Sequence, residues 1–67
     1  MPKGSRHDEQ GLLLSDGGGL VLRRDDGGHW RLQAGWEAYR MVGRRVRVEG
    51  VRCGFDRLDV ERIARAD

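Results

Sequence analysis

Residues 43–52, Gly-Arg-Arg-Val-Arg-Val-Glu-Gly-Val-Arg, limit the possible folds more than any other part of the chain. Valine alternates with charged residues at period two, the signature of a half-buried β-strand rather than of a helix. Val46 and Val48 share a face, whereas Val51 and Cys53 have the opposite parity. Gly50 stands where the parity changes, so a β-bulge or sharp bend is expected there. Small closed sheets need such devices to turn a corner.

The rest of the chain repeats a strand-and-turn pattern. Leu12, Leu13 and Leu14 form a short apolar run that ends at Ser15-Asp16-Gly17-Gly18-Gly19, a turn signal. A second strand follows over 20–24. Asp25-Asp26-Gly27-Gly28 then has the composition of a tight hairpin connection, where positive φ is needed. In the third strand Trp30 and Leu32 face one way, His29 and Arg31 the other. After Leu32 the period lengthens: Ala34, Ala38, Met41 and Val42 fit one face of a short helix over 36–42, which Gly43 can cap. The fourth strand is expected over 45–52. Leu58-Asp59-Val60-Glu61 alternates strictly as the fifth, and Ile63 breaks its parity, which places a second irregularity near Arg62.

Three strands, a helix and two strands is the element order of an OB-fold, a Greek-key barrel. The expected fold class is therefore mainly β: a small five-stranded OB-fold barrel with one short helix between strands 3 and 4. SH3-like barrels are the rival, and a non-helical 36–42 segment would favour them. The expected core is Leu12, Leu14, Leu20, Leu22, Trp30, Leu32, Ala38, Met41, Val42, Val46, Val48, Val51, Cys53, Leu58, Val60 and Ile63. Side chains in that number fill a small barrel and leave no room for an internal small-molecule ligand.

Over residues 11–64 the chain resembles small bacterial OB-fold domains of unknown function. The resemblance rests on the early glycine-bounded strand pair, on Trp30-Arg31-Leu32, on Val42-Gly43-Arg44-Arg45-Val46-Arg47-Val48-Glu49-Gly50, and on Leu58-Asp59-Val60-Glu61-Arg62-Ile63. These motifs imply a barrel and no particular chemistry.

At 67 residues the chain is one small domain, which buries only about 60% of the surface its unfolded form exposes. Residues 11–65 are assigned to the barrel. Residues 1–10 have no apolar core, so they are read as a disordered N-terminal arm and not a signal peptide. No apolar run approaches the roughly 18 residues needed to cross a bilayer, so no membrane association is expected. A single cysteine cannot form an intramolecular disulfide, and a reducing cytoplasm is the expected location.

The net charge is +2, and of the 13 Lys and Arg residues only Lys3 is lysine. Arginine presents a planar fork to phosphate or carboxylate and stacks on flat rings, although a GC-rich genome also supplies arginine where others use lysine. The glycine clusters lead into no helix and carry no Gly-Lys-Ser/Thr, so they are turns, not phosphate loops. His7, His29 and Cys53 match no zinc spacing, and Asp25, Asp26, Asp59 and Glu61 read as solvated charges. No catalytic residue, metal or cofactor is expected, and an enzyme is the least favoured class.

An OB-fold binds oligonucleotides on the face of strands 2 and 3 and its flanking loops. Here Arg23, Arg24, His29, Arg31, Arg52 and Arg57 fall on or beside that face. The expected function is weak, sequence-tolerant binding of single-stranded DNA or RNA. At 6% aromatic content, the stacking residues usual in single-strand binders are scarce, and whether Trp36, Tyr39 and Phe55 are exposed becomes the deciding question. The competing expectation is a protein-interaction module, with a protein partner or a second copy of the chain.

Overall fold

The structure is a computed structural model that describes residues 4–66. Five strands form one sheet: β1 (Arg6–Asp16), β2 (Gly19–Arg24), β3 (His29–Gln33), β4 (Arg45–Arg52) and β5 (Arg57–Arg65). A short 3-10 helix (Trp36–Met41) lies between β3 and β4. The strand order is β1-β2-β3-β5-β4, and β4 pairs back onto β1, so each strand of the ring has two hydrogen-bonded neighbours. All pairings are antiparallel except β3 with β5, which run parallel from Arg31–Arg57 to Gln33–Asp59. A ring of this kind leaves no long unpaired edge for another chain to extend.

β1 makes closure possible by serving two partners. It pairs with β4 from Arg6 to Leu12 and with β2 from Gly11 to Asp16. Gly11 sits at the handover, where a Cβ would collide with the backbone carbonyl of Arg23, so glycine is what lets β2 approach. The arm expected over 1–10 is therefore strand from Arg6 onward; residues 1–3 lie outside the described residues. Arg6–Gln10 contains no aliphatic residue and holds its place by backbone pairing to β4 and by ion pairs, not by burying apolar surface.

The core consists of Leu13, Leu20, Leu22, Trp30, Leu32, Ala38, Val46, Val48 and Leu58, with Ala34, Met41, Val60 and Ile63 packed against it. Five expected members belong elsewhere, Val51 among them. Leu12 and Leu14 are half-buried on the outer face, because three successive leucines carry no parity and Leu13, in phase with buried Gly11, takes the inside. Cys53 lies beyond the end of β4, exposed, its thiol donating to Gln33 Oε1 at 3.5 Å. Val42 is exposed for a helical reason. The 36–41 segment winds with three residues per turn, as in the Ala38 N–H to Gly35 O bond of 3.1 Å. At that period Ala38 and Met41 share the inner side, and Trp36, Tyr39 and Val42 line up on the outer one.

The irregularity at Gly50 exists, but the parity change lies on the opposite strand. β4 keeps its phase, so Val46, Val48 and Gly50 all point inward and Val51 is only half-buried, on the outer side. Glu49 pairs with Arg62 and Gly50 with Val60, which leaves Glu61 as the extra residue of β5. That bulge explains why Leu58 and Val60 share one parity and Ile63 takes the other. A Cβ at Gly50 would lie 2.5 Å from the Asp59 carbonyl oxygen, so the bulged strand can press close only against glycine. Among the described residues no helix is long and apolar enough to cross a membrane.

Candidate functional site

The six residues singled out by sequence divide by strand phase. Arg23, His29, Arg31 and Arg57 alternate with buried Leu22, Trp30, Leu32 and Leu58 and are exposed on the outer face. Arg23 pairs in register with His29, and Arg31 pairs with Arg57, so the four occupy adjacent positions across β2, β3 and β5. Neighbouring strands are about 4.8 Å apart, which sets the attachment points of Arg31 and Arg57 side by side. Leu14 and Val21, themselves register partners and both half-buried, extend the Arg31 row across β1 and β2. A shallow groove of about 290 Å³ runs over this surface, lined by Leu14, Val21, Arg23, His29 and Arg31, with Asp16 at its rim.

Arg24 and Arg52 are in the inward phase and point to the end of the ring, where they staple loops. The Arg24 guanidinium lies over Gly28, and its Nε donates to Asp26 Oδ1 at 2.9 Å in the β2–β3 turn. Arg52 donates from Nε to the Gly54 carbonyl and from a terminal nitrogen to the Phe55 carbonyl, each at 2.9 Å. Neither guanidinium joins the outer patch.

The electrostatics of the patch are set by what is missing around it. Among the described residues no carboxylate lies within salt-bridge distance of Arg23, Arg31 or Arg57. Arg40 and Arg62 are also without one; Arg40 lies on the 3-10 helix in a groove shared with Glu37, Arg44 and Arg65, and Arg62 lies at the bulge. Adjacent like charges cost up to about 1 kcal/mol per cross-strand pair. A concentrated, unneutralised cluster of guanidiniums beside an aliphatic strip can hold an anionic ligand that also has an apolar part.

The exposure of Phe55, left open by the sequence, is settled. The residue is 89% exposed in the β4–β5 loop, beside His29 and Trp30. The available signal was an aromatic residue in a Gly-x-Asp turn, where no core exists for it to fill. Trp36 and Tyr39 are exposed as well, and the Tyr39 hydroxyl donates to the Gly18 carbonyl at 2.7 Å, tying the helix to the β1–β2 turn.

Inside the ring His7 packs against Trp30, with ring centroids 4.8 Å apart. Ser5 Oγ is 2.7 Å from His7 Nε2, and His7 Nδ1 is 3.4 Å from Glu9. The Ser-His-Glu order resembles a hydrolase triad, yet period-two spacing along one extended segment aligns any such residues, and here the line orients His7 on the indole. Among the described residues no three His, Cys, Asp or Glu side chains gather as a metal site.

The profile of the DUF5818 family, proteins of unknown function, matches residues 10–66. The chain belongs to that family. The match covers every residue of the outer patch and all five strands except the first part of β1. No curated protein and no solved structure matches the chain.

Proposed function

We propose that this chain is a small OB-type barrel that binds single-stranded nucleic acid weakly and without sequence preference, on the outer face of β2, β3 and the start of β5. The strand order, with β1 paired to both β2 and β4 and β3 parallel to β5, supports the fold reading. The observation that carries the function is the unneutralised cluster in which Arg31 and Arg57 are register partners and Arg23, the partner of His29, lies diagonal to Arg31. Such a cluster tracks a phosphate backbone, and the Leu14–Val21 strip beside it offers apolar surface to bases.

Titration of a labelled single strand at several salt concentrations tests this. Binding should weaken steeply with salt, and replacing Arg23, Arg31 and Arg57 by alanine should reduce the slope of log K against log salt by about 2, at roughly 0.7 per phosphate contact. Absence of binding at low salt would contradict the reading. A second reading, a protein-interaction module, draws on the exposed Trp36–Tyr39–Val42 stripe. It requires concentration-dependent mass in sedimentation, and a strictly monomeric profile counts against self-association.

A further inference from the structure

We propose that the β4–β5 loop and the end of the β2–β3 hairpin form a stacking pocket for one nucleobase of the bound strand, with Phe55 as its stacking surface. The proposal rests on the single-strand reading above and adds a separate site to it.

An exposed phenylalanine is ordinarily a residue on a loose loop. This loop is tied down on every side. Arg52 donates to the carbonyls of Gly54 and Phe55, the Cys53 N–H donates to the Arg57 carbonyl at 2.9 Å, and the Arg31 N–H donates to the Asp56 carbonyl at 2.7 Å. Arg31 thus belongs to the phosphate-tracking cluster and, through its backbone, fixes the loop that carries Phe55. The backbone that carries the ring is fixed before any ligand arrives, so little loop entropy is lost when a second ring stacks on it.

The space beside Phe55 suits a planar, partly polar group. A pocket of about 330 Å³ lies between Phe55, Trp30, His29 and Asp56, with Arg24 and Gly28 behind. The Asp56 carboxylate can accept from a base N–H, such as N3–H of thymine. The pocket shares His29 and Gly28 with the arginine groove, so the two are continuous. A purely apolar side chain from a protein would leave Asp56 unanswered and would gain nothing from the neighbouring guanidiniums. A base attached to a phosphate chain uses both.

Two strands of equal length and charge separate this claim from the one beneath it: an oligothymidylate and an abasic tetrahydrofuran backbone. The phosphate face binds either. The pocket predicts that the base-bearing strand binds about tenfold more tightly, the effect of one stacked base. Phe55→Ala should cancel that preference, and Phe55→Trp should restore it. Because the ring is exposed, the melting temperature of the alanine variant should not change, which verifies its fold. Equal, salt-dependent binding of both strands would overturn the pocket and leave the arginine face standing. A preference that survives Phe55→Ala would equally overturn it. Failure of both strands to bind would remove the two proposals together. Self-association abolished by Phe55→Ala, without strand preference, would assign the ring to a second copy of the chain instead.

Discussion

The two sides of the ring use the same residue type in opposite ways. On the β1–β4 side arginines are matched by carboxylates: Arg47 Nε donates to Asp8 at 2.8 Å, Arg45 is bidentate on Asp25 at 2.9 and 2.7 Å, and Arg6 reaches Glu61 of β5 at 2.7 Å. On the β2–β3–β5 side Arg23, Arg31 and Arg57 have no such partner among the described residues. A genome rich in arginine codons would place arginine on both sides. It would not by itself bridge the arginines of one side to acids and leave those of the other side unbridged. The paired side closes the sheet, because Asp8–Arg47 joins β1 to β4 and Arg45–Asp25 joins β4 to the β2–β3 turn. The unpaired side retains its charge for a ligand.

The contrast is broken most directly by reversing charge. Arg23→Glu, Arg31→Glu and Arg57→Glu together should weaken strand binding by more than about a hundredfold at low salt, with folding intact by circular dichroism. The same reversal at Arg45 and Arg47 should lower the melting temperature and leave the salt slope of binding unchanged. If the second variant lost binding as completely as the first, the two sides would not differ in function.

Leucines sharpen the comparison next. Leu13→Ala, at a fully buried position, should cost about 2–5 kcal/mol in denaturant unfolding. Leu14→Ala, one residue away beside the groove, should cost much less and weaken strand binding instead. A smaller effect follows from the like-charged Arg31–Arg57 pair. Arg57→Gln should raise stability by about 0.2–1 kcal/mol while it weakens binding, the opposite of what a paired arginine would do.

The smallest effect concerns pH. The Arg47 guanidinium, through its hydrogen bonds, holds the Asp8 carboxyl below its usual value. A depressed carboxyl stabilises the fold above its unfolded-state pKa, about 3.9, and that contribution fades as pH falls through the lower folded-state value. The melting temperatures of the parent and of Asp8→Asn should therefore differ near neutrality and converge below about pH 4. A gap that persisted in acid would remove the ion pair from the account.

Much of this was legible in the residues. Element order, the limits of β4 and the buried valines follow from period-two alternation. The hidden parts have specific causes. The polar start of β1 carries no apolar pattern, because pairing to β4 and ion pairs replace burial. The leucine run had no phase of its own. The bulge had to be seen in the pairing, since Gly50 announces an irregularity whose extra residue, Glu61, lies on the opposite strand. At the site, neighbours in sequence parted company: Arg23 faces outward and Arg24 staples a turn, as strand alternation requires. Arg52, chosen from the sequence as a ligand contact, clamps the loop that displays Phe55. An arginine's partner is a tertiary fact, so alternation could place the guanidiniums but not say which were free.

The most direct test follows the arginine Nε–H signals by nuclear magnetic resonance as a single strand is titrated into the labelled protein. The resonances of Arg23, Arg31 and Arg57 should shift together with strand concentration and return as salt is added, while those of Arg45 and Arg47 stay in place. Movement at the paired arginines with the unpaired cluster silent would contradict the division of labour on which the account stands.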